Sequence, residues 1–162
     1  MLSISSKNFE ALTTQQLYDI LQLRSEVFVV EQNCVYQDVD GKDQNALHIL
    51  GYKNEKLVAY TRIFKPGDYF TEASIGRVVV IENERQHSFG NAIMKASIKA
   101  IKTYFNTETI RISAQIYLKR FYNNLEFKDV GEEYLEDGIP HINMVKSPLI
   151  SKGETLLREN NV

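Results

Sequence analysis

Apolar positions near the amino terminus recur with a helical period. Leu17, Ile20, Leu21 and Phe28 share a face that also carries Arg24. Thr13 followed three residues later by Gln16 makes a capping box, so a first helix is predicted over 14–28. The stretch 29–46, VVEQNCVYQDVDGKDQNA, shows no period and reads as a long functional or adaptable loop. β-Branched and aromatic runs follow, LHILGYK and KLVAYTRIFK, parted by Asn54-Glu55 as in a hairpin and stopped before Pro66-Gly67. A third strand, EASIGRVVV, holds Gly76, which marks a bulge or a close backbone approach.

The period then returns to that of a helix. Phe89, Ala92, Ile93, Ala96, Ala100, Ile101 and Tyr104 predict an amphipathic helix of about 16 residues. TIRISA is a short strand, and Leu118, Phe121, Tyr122 and Leu125 in YLKRFYNNLEF stand at helical spacing. FKDVGEEYLEDGIPHINMV reads as two strands joined by a turn at Asp137-Gly138. The order is helix, three strands, long helix, strand, helix, two strands. It predicts an α/β domain with a central mixed sheet and without the strict alternation of a doubly wound fold. One domain is expected over 1–147, with 148–162 a tail that is either a short docked helix or a frayed end.

Composition narrows the function. The chain has 162 residues, 43% hydrophobic and 25% charged, which suits one soluble globular domain. No segment nears the ~18 apolar residues of a membrane span, and no basic segment leads into a long apolar core as in a secretory signal. The single cysteine, Cys34, rules out an internal disulfide and a cysteine-clustered zinc site. A reducing cytoplasm is the expected location, with Cys34 structural or beside a ligand. A net charge of −2 argues against a nucleic-acid surface, so any phosphate must be met locally.

Local recognition has one strong candidate. After IGRVVV the chain reads ERQHSFGNAIMKASIKAI, from Glu84 to Ile101, in which a polar loop runs straight into the long helix. A strand, loop and helix in this order present unpaired N–H groups and the positive dipole end at a sheet edge, which is an anion site. The simpler reading is a Ser88 N-cap with Arg85 in solvent. A nucleotide P-loop is excluded because Asn91 and Ala92 follow Gly90 in place of Lys-Ser/Thr, and a dinucleotide fingerprint lacks its spaced glycines.

The loop Arg85-Gln86-His87-Ser88-Phe89-Gly90 resembles the Arg/Gln-x-x-Gly-x-Gly/Ala loop of the GNAT acetyltransferase superfamily, with Ser88 where the first glycine is expected. AQIYLKRFYNNLEF is similar to a second GNAT segment, with Ala114 closing a strand and Phe121-Tyr122 on the helix. Glu126-Phe127 replaces the usual Gly-Phe and suggests a different helix C-terminus. LQLRSEVFVVEQNCVYQDVDGKD, HILGYKNEKLVAYTRIF and EEYLEDGIPHINM resemble the ElaA-type branch of that superfamily, and the likeness spans about 17 to 146.

The resemblance implies the GNAT acyl-CoA N-acyltransferase fold, with a mixed, mostly antiparallel sheet flanked by helices. It also implies acetyl-CoA as co-substrate, no metal, and a primary amine acceptor, either a small molecule or a peptide or protein. Val78, Val79 and Val80 would hold the pantetheine arm, and the end of that strand would offer an N–H to the thioester carbonyl. The amides from His87 through Ser88, Phe89, Gly90 and Asn91 to Ala92 would hold the pyrophosphate, with Arg85 adding charge and Gln86 in the same loop. Tyr122 would give a proton to the departing thiolate, as a phenol of ordinary pKa about 10 suits a thiol leaving group.

Glu31, His48 and His141 are candidates for the base. Asp38, Asp40 and Asp43 either attract a cationic amine or form a solvated loop. Their DVDGKD spacing fits a calcium loop until its twelfth position, where Ile49 replaces the bidentate Glu, so calcium is rejected. Arg24 and Glu31, two helical turns apart, are expected to pair or to shape the acceptor pocket. A longer acyl donor, on CoA or on an acyl-carrier protein, and a non-catalytic acyl-CoA-binding module are the alternatives. A homodimer is compatible with each.

Overall fold

The computed structural model describes residues 1–148. From residue 149 on, the expected tail lies outside the described residues. Seven strands form one sheet in the order β1-β2-β3-β4-β5-β7-β6. They are β1 (Ser3–Asn8), β2 (Leu47–Lys53), β3 (Lys56–Phe64), β4 (Ala73–Val80), β5 (Ile110–Gln115), β6 (Lys128–Glu136) and β7 (Ile139–Lys146). Every neighbouring pair is antiparallel except β4 and β5. The helices are α1 (Thr14–Arg24), α2 (Phe89–Phe105) and the short α3 (Lys119–Asn123).

The periodicities predict most of these elements, and the turn chemistry explains two joints. Asn54 and Glu55 both take positive φ, as do Asp137 and Gly138, which gives the twist that two-residue hairpins require. β1 has no counterpart in the sequence reading. As an edge strand it pairs only with β2 and buries little, so SISSKN carries no clear alternation.

Two packed layers enclose β3, which is buried along nearly its whole length. On one face α1 contributes Ile20 and Leu23, which pack with Leu50, Tyr60 and Val79. On the other, Ile93, Met94 and Ile101 of α2 pack with Ile49, Ala59, Ile63 and Ile112. The capping box at Thr13 forms with both of its hydrogen bonds, each 3.0 Å. The helix expected to end at 28 runs on instead, as a wider π-helical turn over Ser25–Glu31. Its bonds skip five residues, from Gln32 N–H to the Val27 carbonyl and from Cys34 N–H to the Val29 carbonyl, both 3.1 Å. Such turns interrupt the α-helical stagger and re-aim side chains, often at functional sites.

The sheet opens at the one parallel joint among the described residues. β4 and β5 pair at Ala73↔Ile110 and Ser74↔Arg111 and then diverge. On the other side of β4, Arg77 and Val78 stand opposite Thr61, so a bulge sits next to Gly76. The positive φ falls on Arg77, at 50°, and not on the glycine.

Candidate active site

The opening between β4 and β5 continues as a cleft of about 520 Å³. Its walls come from β4, the start of α2, the π-helical turn, the loop behind that turn, and the ends of β5, α3 and the β6–β7 hairpin. Val78, Val79 and Val80 face it along β4, whose backbone has no strand partner on that side beyond Ser74. Arg85, Ser88, Gly90 and Asn91 face it at the far end of β4.

Local geometry at this end departs from the sequence reading in informative ways. Ser88 does not cap α2 with its side chain; it takes the left-handed conformation, φ 59° and ψ 25°, that a glycine would adopt more cheaply. Gly90 has no positive φ, and a Cβ there would meet Phe121 Cζ at 3.4 Å. Its value is close approach. Ala92 N–H bonds the Ser88 carbonyl at 3.2 Å, so Ala92 leaves the expected anion set. Phe89, Gly90 and Asn91 keep the unpaired amides of a helix start. Phe89 turns its ring into the core, and Gln86 and His87 lie on the solvent side, outside the cleft wall.

Arg85 sits at the mouth of this cradle. Its Nε donates to the Val80 carbonyl at 3.0 Å, and its Nη2 reaches Glu31 at 2.8 Å. The expected Arg24–Glu31 pair is therefore absent: Glu31 pairs with Arg85 beyond the end of β4. Arg24 instead enters a buried cluster with the loop aspartates. Arg24 Nε meets Asp38 Oδ2 at 2.8 Å and its Nη1 meets Asp43 Oδ1 at 2.7 Å. Arg62 Nη2 meets Asp40 Oδ2 at 2.6 Å and its Nη1 meets Asp43 Oδ1 at 3.0 Å. Arg77 Nε lies 2.8 Å from Asp38 Oδ1, a charge contact without hydrogen-bond alignment.

These aspartates are neither a solvated loop nor open to an amine, because three guanidinium groups balance them. Burial alone would raise the Asp43 carboxyl, but hydrogen bonds from Arg24 and Arg62 hold it below the usual range. Asp40 is likewise held down by Arg62 against its burial. The segment expected to be adaptable is pinned to β3 and β4.

His48 belongs to the same buried region and leaves the set of bases. It is fully buried and outside the cleft wall. Its Nε2–H donates to the Asp43 carbonyl at 2.9 Å, and its Nδ1, 2.7 Å from the Tyr60 hydroxyl, accepts from it. Burial lowers its pKa and keeps the ring neutral.

Tyr122 lies on the cleft wall, 5% exposed. Burial pushes its phenol well above the ordinary value, with Tyr117 adding to the shift, so it stays protonated. Its hydroxyl finds no hydrogen-bond partner among the described residues. Glu126, expected to change the end of this helix, preserves it by taking φ 70°. Phe127 N–H returns to the Tyr122 carbonyl at 3.1 Å and Glu126 N–H to the Asn123 carbonyl at 3.0 Å, which is a Schellman closure. The Phe127 ring then packs against Tyr122, with centroids 6.1 Å apart.

His141 lies where β7 meets the cleft. Its Nδ1–H donates to the Ile139 carbonyl at 2.6 Å, and its Nε2 is 3.2 Å from Glu136 Oε2. Tyr134 stacks on the ring, and its hydroxyl bonds Ser113 Oγ, which lies 3.4 Å from Glu136. The sequence reading missed Glu136, Ser113 and Tyr134. The turn at 137–138 was the available signal, since it fixes Tyr134↔His141 and sets Glu136 on the same face. Cys34 also lines the cleft, its Sγ 3.3 Å from the Asp137 carbonyl.

A sheet that parts between two parallel strands, with free amides at the helix that follows, defines a class of acyltransferase folds. The chain belongs to the GNAT acetyltransferase family, in its ElaA-type branch. Residues 10–148 match the family model described as an acetyltransferase (GNAT) domain. Protein ElaA of Escherichia coli K12 is 43% identical over 148 residues, covering 90% of this chain and 97% of that protein. The crystal structure of Escherichia coli ElaA superposes with a TM-score of 0.84 at 42% identity, over 91% of this chain and all of the other (100%). An acyl-CoA N-acyltransferase from Pseudomonas aeruginosa gives a TM-score of 0.84 at 37% identity, over 90% and 99% of the two chains.

The chain is accordingly an acyltransferase whose fold implies an acyl-CoA co-substrate. The cleft fits that group: β4 offers a bare backbone edge for a pantetheine amide, and the α2 start offers free donors for a pyrophosphate. Among the described residues no helix is long and apolar enough to cross a membrane.

Proposed function

We propose that this protein transfers the acetyl group of acetyl-CoA to a primary amine by direct attack. The observation that carries the proposal is the parting of β4 from β5 directly upstream of a cradle with unpaired amides at Phe89, Gly90 and Asn91. The backbone of Val78–Val80 holds the extended arm, and an N–H near the bulge supports the negative charge that develops on the carbonyl oxygen. Arg85 offers one side of its guanidinium to the pyrophosphate and the other to Glu31.

His141 is the favoured base. His48 is sealed off, and Glu31 is held by Arg85 at the cofactor end, whereas His141 faces the cleft beside the hairpin. Tyr122 donates to the departing sulfur: burial makes it a weak acid, but one that is protonated at every working pH and has an unshared O–H. The acceptor is a small amine or an amine of a peptide or protein. A reducing cytoplasm suits the unpaired thiol of Cys34.

Calorimetric titration with acetyl-CoA tests the reading, alongside a Gly90→Pro variant that removes one cradle amide while proline remains tolerated in a first helical turn. Binding in the wild type that weakens about tenfold or more in the variant is expected. A folded wild-type protein that binds no acetyl-CoA overturns the proposal. Tight binding with no turnover of any amine points to a sensor of acyl-CoA.

A further inference from the structure

Three carboxylates line the cleft: Glu31, Glu136 and Asp137. Glu31 is spent on Arg85, and the carboxylate of Asp137, in the hairpin turn, pairs with neither His141 nor Ser113 among the described residues. Glu136 differs from both. Its side chain is 45% exposed, its neighbours are the His141 ring and the Ser113 hydroxyl, and neither arginine nor lysine pairs with it among the described residues.

The strand register explains why these groups meet. Gln115 stands opposite His141, and Tyr134 opposite His141 on the other side, so Ser113, Gln115, Tyr134, Glu136 and His141 point from three adjacent strands to one face. The Tyr134 phenol, raised by burial, keeps its proton and is hydrogen-bonded to Ser113, whose hydroxyl turns toward Glu136. Nothing in that chain supplies a full positive charge.

We propose that Glu136 is the anchor for the acceptor's ammonium group, and that His141 Nε2 takes the proton which the ammonium must lose before it attacks. This rests on the transfer reading above and narrows the acceptor to amines that arrive as cations, which means unhindered aliphatic primary amines.

His141 itself supplies the second half of the argument. Both of its ring nitrogens face acceptors, the Ile139 carbonyl at 2.6 Å and the Glu136 carboxylate at 3.2 Å. A neutral ring has a single N–H and satisfies only one of them; an imidazolium satisfies both. The site is therefore shaped for the state that follows proton uptake. In the step, the ammonium hydrogen-bonded to Glu136 gives one proton to the neutral Nε2. The freed lone pair forms the C–N bond at the thioester carbon and the C–S bond breaks. The second amine proton is lost as the amide forms, and the thiolate takes one from Tyr122 or solvent. One proton is released to water in the whole reaction, and Glu136 passes from the ammonium to the imidazolium as its counter-charge.

The test compares two small amines under saturating acetyl-CoA: butylamine, a cation at neutral pH, and methoxyamine, which is uncharged there, with the enzyme-free rate subtracted. Glu136→Gln raises the KM for butylamine about tenfold or more, lowers kcat/KM for methoxyamine by a much smaller factor, and leaves the KM for acetyl-CoA unchanged. Glu136→Asp falls between the two. The half-exposed position keeps the fold, checked by the thermal midpoint. Equal losses on both amines, or no loss on butylamine, overturn the anchor. Methoxyamine accepted with butylamine refused also overturns it and leaves the transfer reading standing. Failure of both amines with acetyl-CoA still bound removes the anchor and the amine acceptor together. Absence of acetyl-CoA binding overturns the transfer reading itself.

Discussion

Two groups of charged side chains stand on either side of the β4 bulge and behave oppositely. Behind it, Arg24, Arg62 and Arg77 balance Asp38, Asp40 and Asp43, and the most buried members are 0–7% exposed. In front of it, Glu136 meets only a histidine and a hydroxyl among the described residues, and its carboxylate is open to the cleft. The first group is closed, since each charge has its counter-charge and its centre, Arg24, Arg62, Asp38 and Asp43, is buried. It can position a loop but cannot take a substrate. The second is unfinished, and an incoming cation completes it. Residue types alone do not separate the two; burial and partner count do.

Breaking the closed group carries the largest effect. Arg62→Ala leaves Asp43, which is buried, and Asp40, which is partly so, short of counter-charge and costs about 3–5 kcal/mol in denaturant unfolding. A loss under about 1 kcal/mol, the range of a solvated surface pair, would show that water reaches the cluster and would erase the contrast. On the open side the order of effects reverses, from stability to rate. Tyr122→Phe lowers kcat about 100-fold while the unfolding midpoint holds or rises, since the hydroxyl bonds no group among the described residues. An unchanged kcat would move the departing thiolate's proton to another donor.

Acid sharpens the contrast in two stages. His48 has a folded pKa below its ordinary value of about 6.5, so its contribution is complete above that pH and is lost as pH falls past it. Asp40 and Asp43, also lowered, contribute fully above about pH 4 and lose that contribution as pH falls further. Denaturant midpoints measured across this range show both declines, and His48→Asn removes the first. A first decline that survives the substitution would assign it to another group. The smallest effect belongs to the cradle. Ser88→Gly relieves the left-handed backbone and raises stability by about 0.5 kcal/mol with acetyl-CoA affinity unchanged. A fall in melting temperature would reveal a contact made by the Ser88 hydroxyl.

The wall proposed to hold the cofactor was legible because it is built from contiguous chain. IGRVVV, the polar loop and α2 follow one another, so periodicity and one glycine located the strand, the cradle and the helix without knowledge of the rest. The two-residue turns at Asn54-Glu55 and Asp137-Gly138 were legible for the same reason. The wall proposed to face the acceptor was not. His141 comes from β7, Glu136 from β6, Ser113 from β5 and Cys34 from the distant loop, and only strand pairing brings them together. Glu31 and His48 looked equal to His141 as bases until burial and partners separated them.

Local spacing, which depends on backbone periods and turn preferences, determined the element order from α1 onward, both hairpins, the loop at the head of α2 and, by resemblance, the family. It could not determine which charges neutralise one another. Coulomb interactions and desolvation depend on distances between residues far apart in the chain and on the water left around them, and both quantities exist only once the sheet has closed. The tertiary structure alone made the loop aspartates a largely buried brace, turned Glu31 to Arg85 and left Glu136, among the described residues, without an arginine or lysine partner.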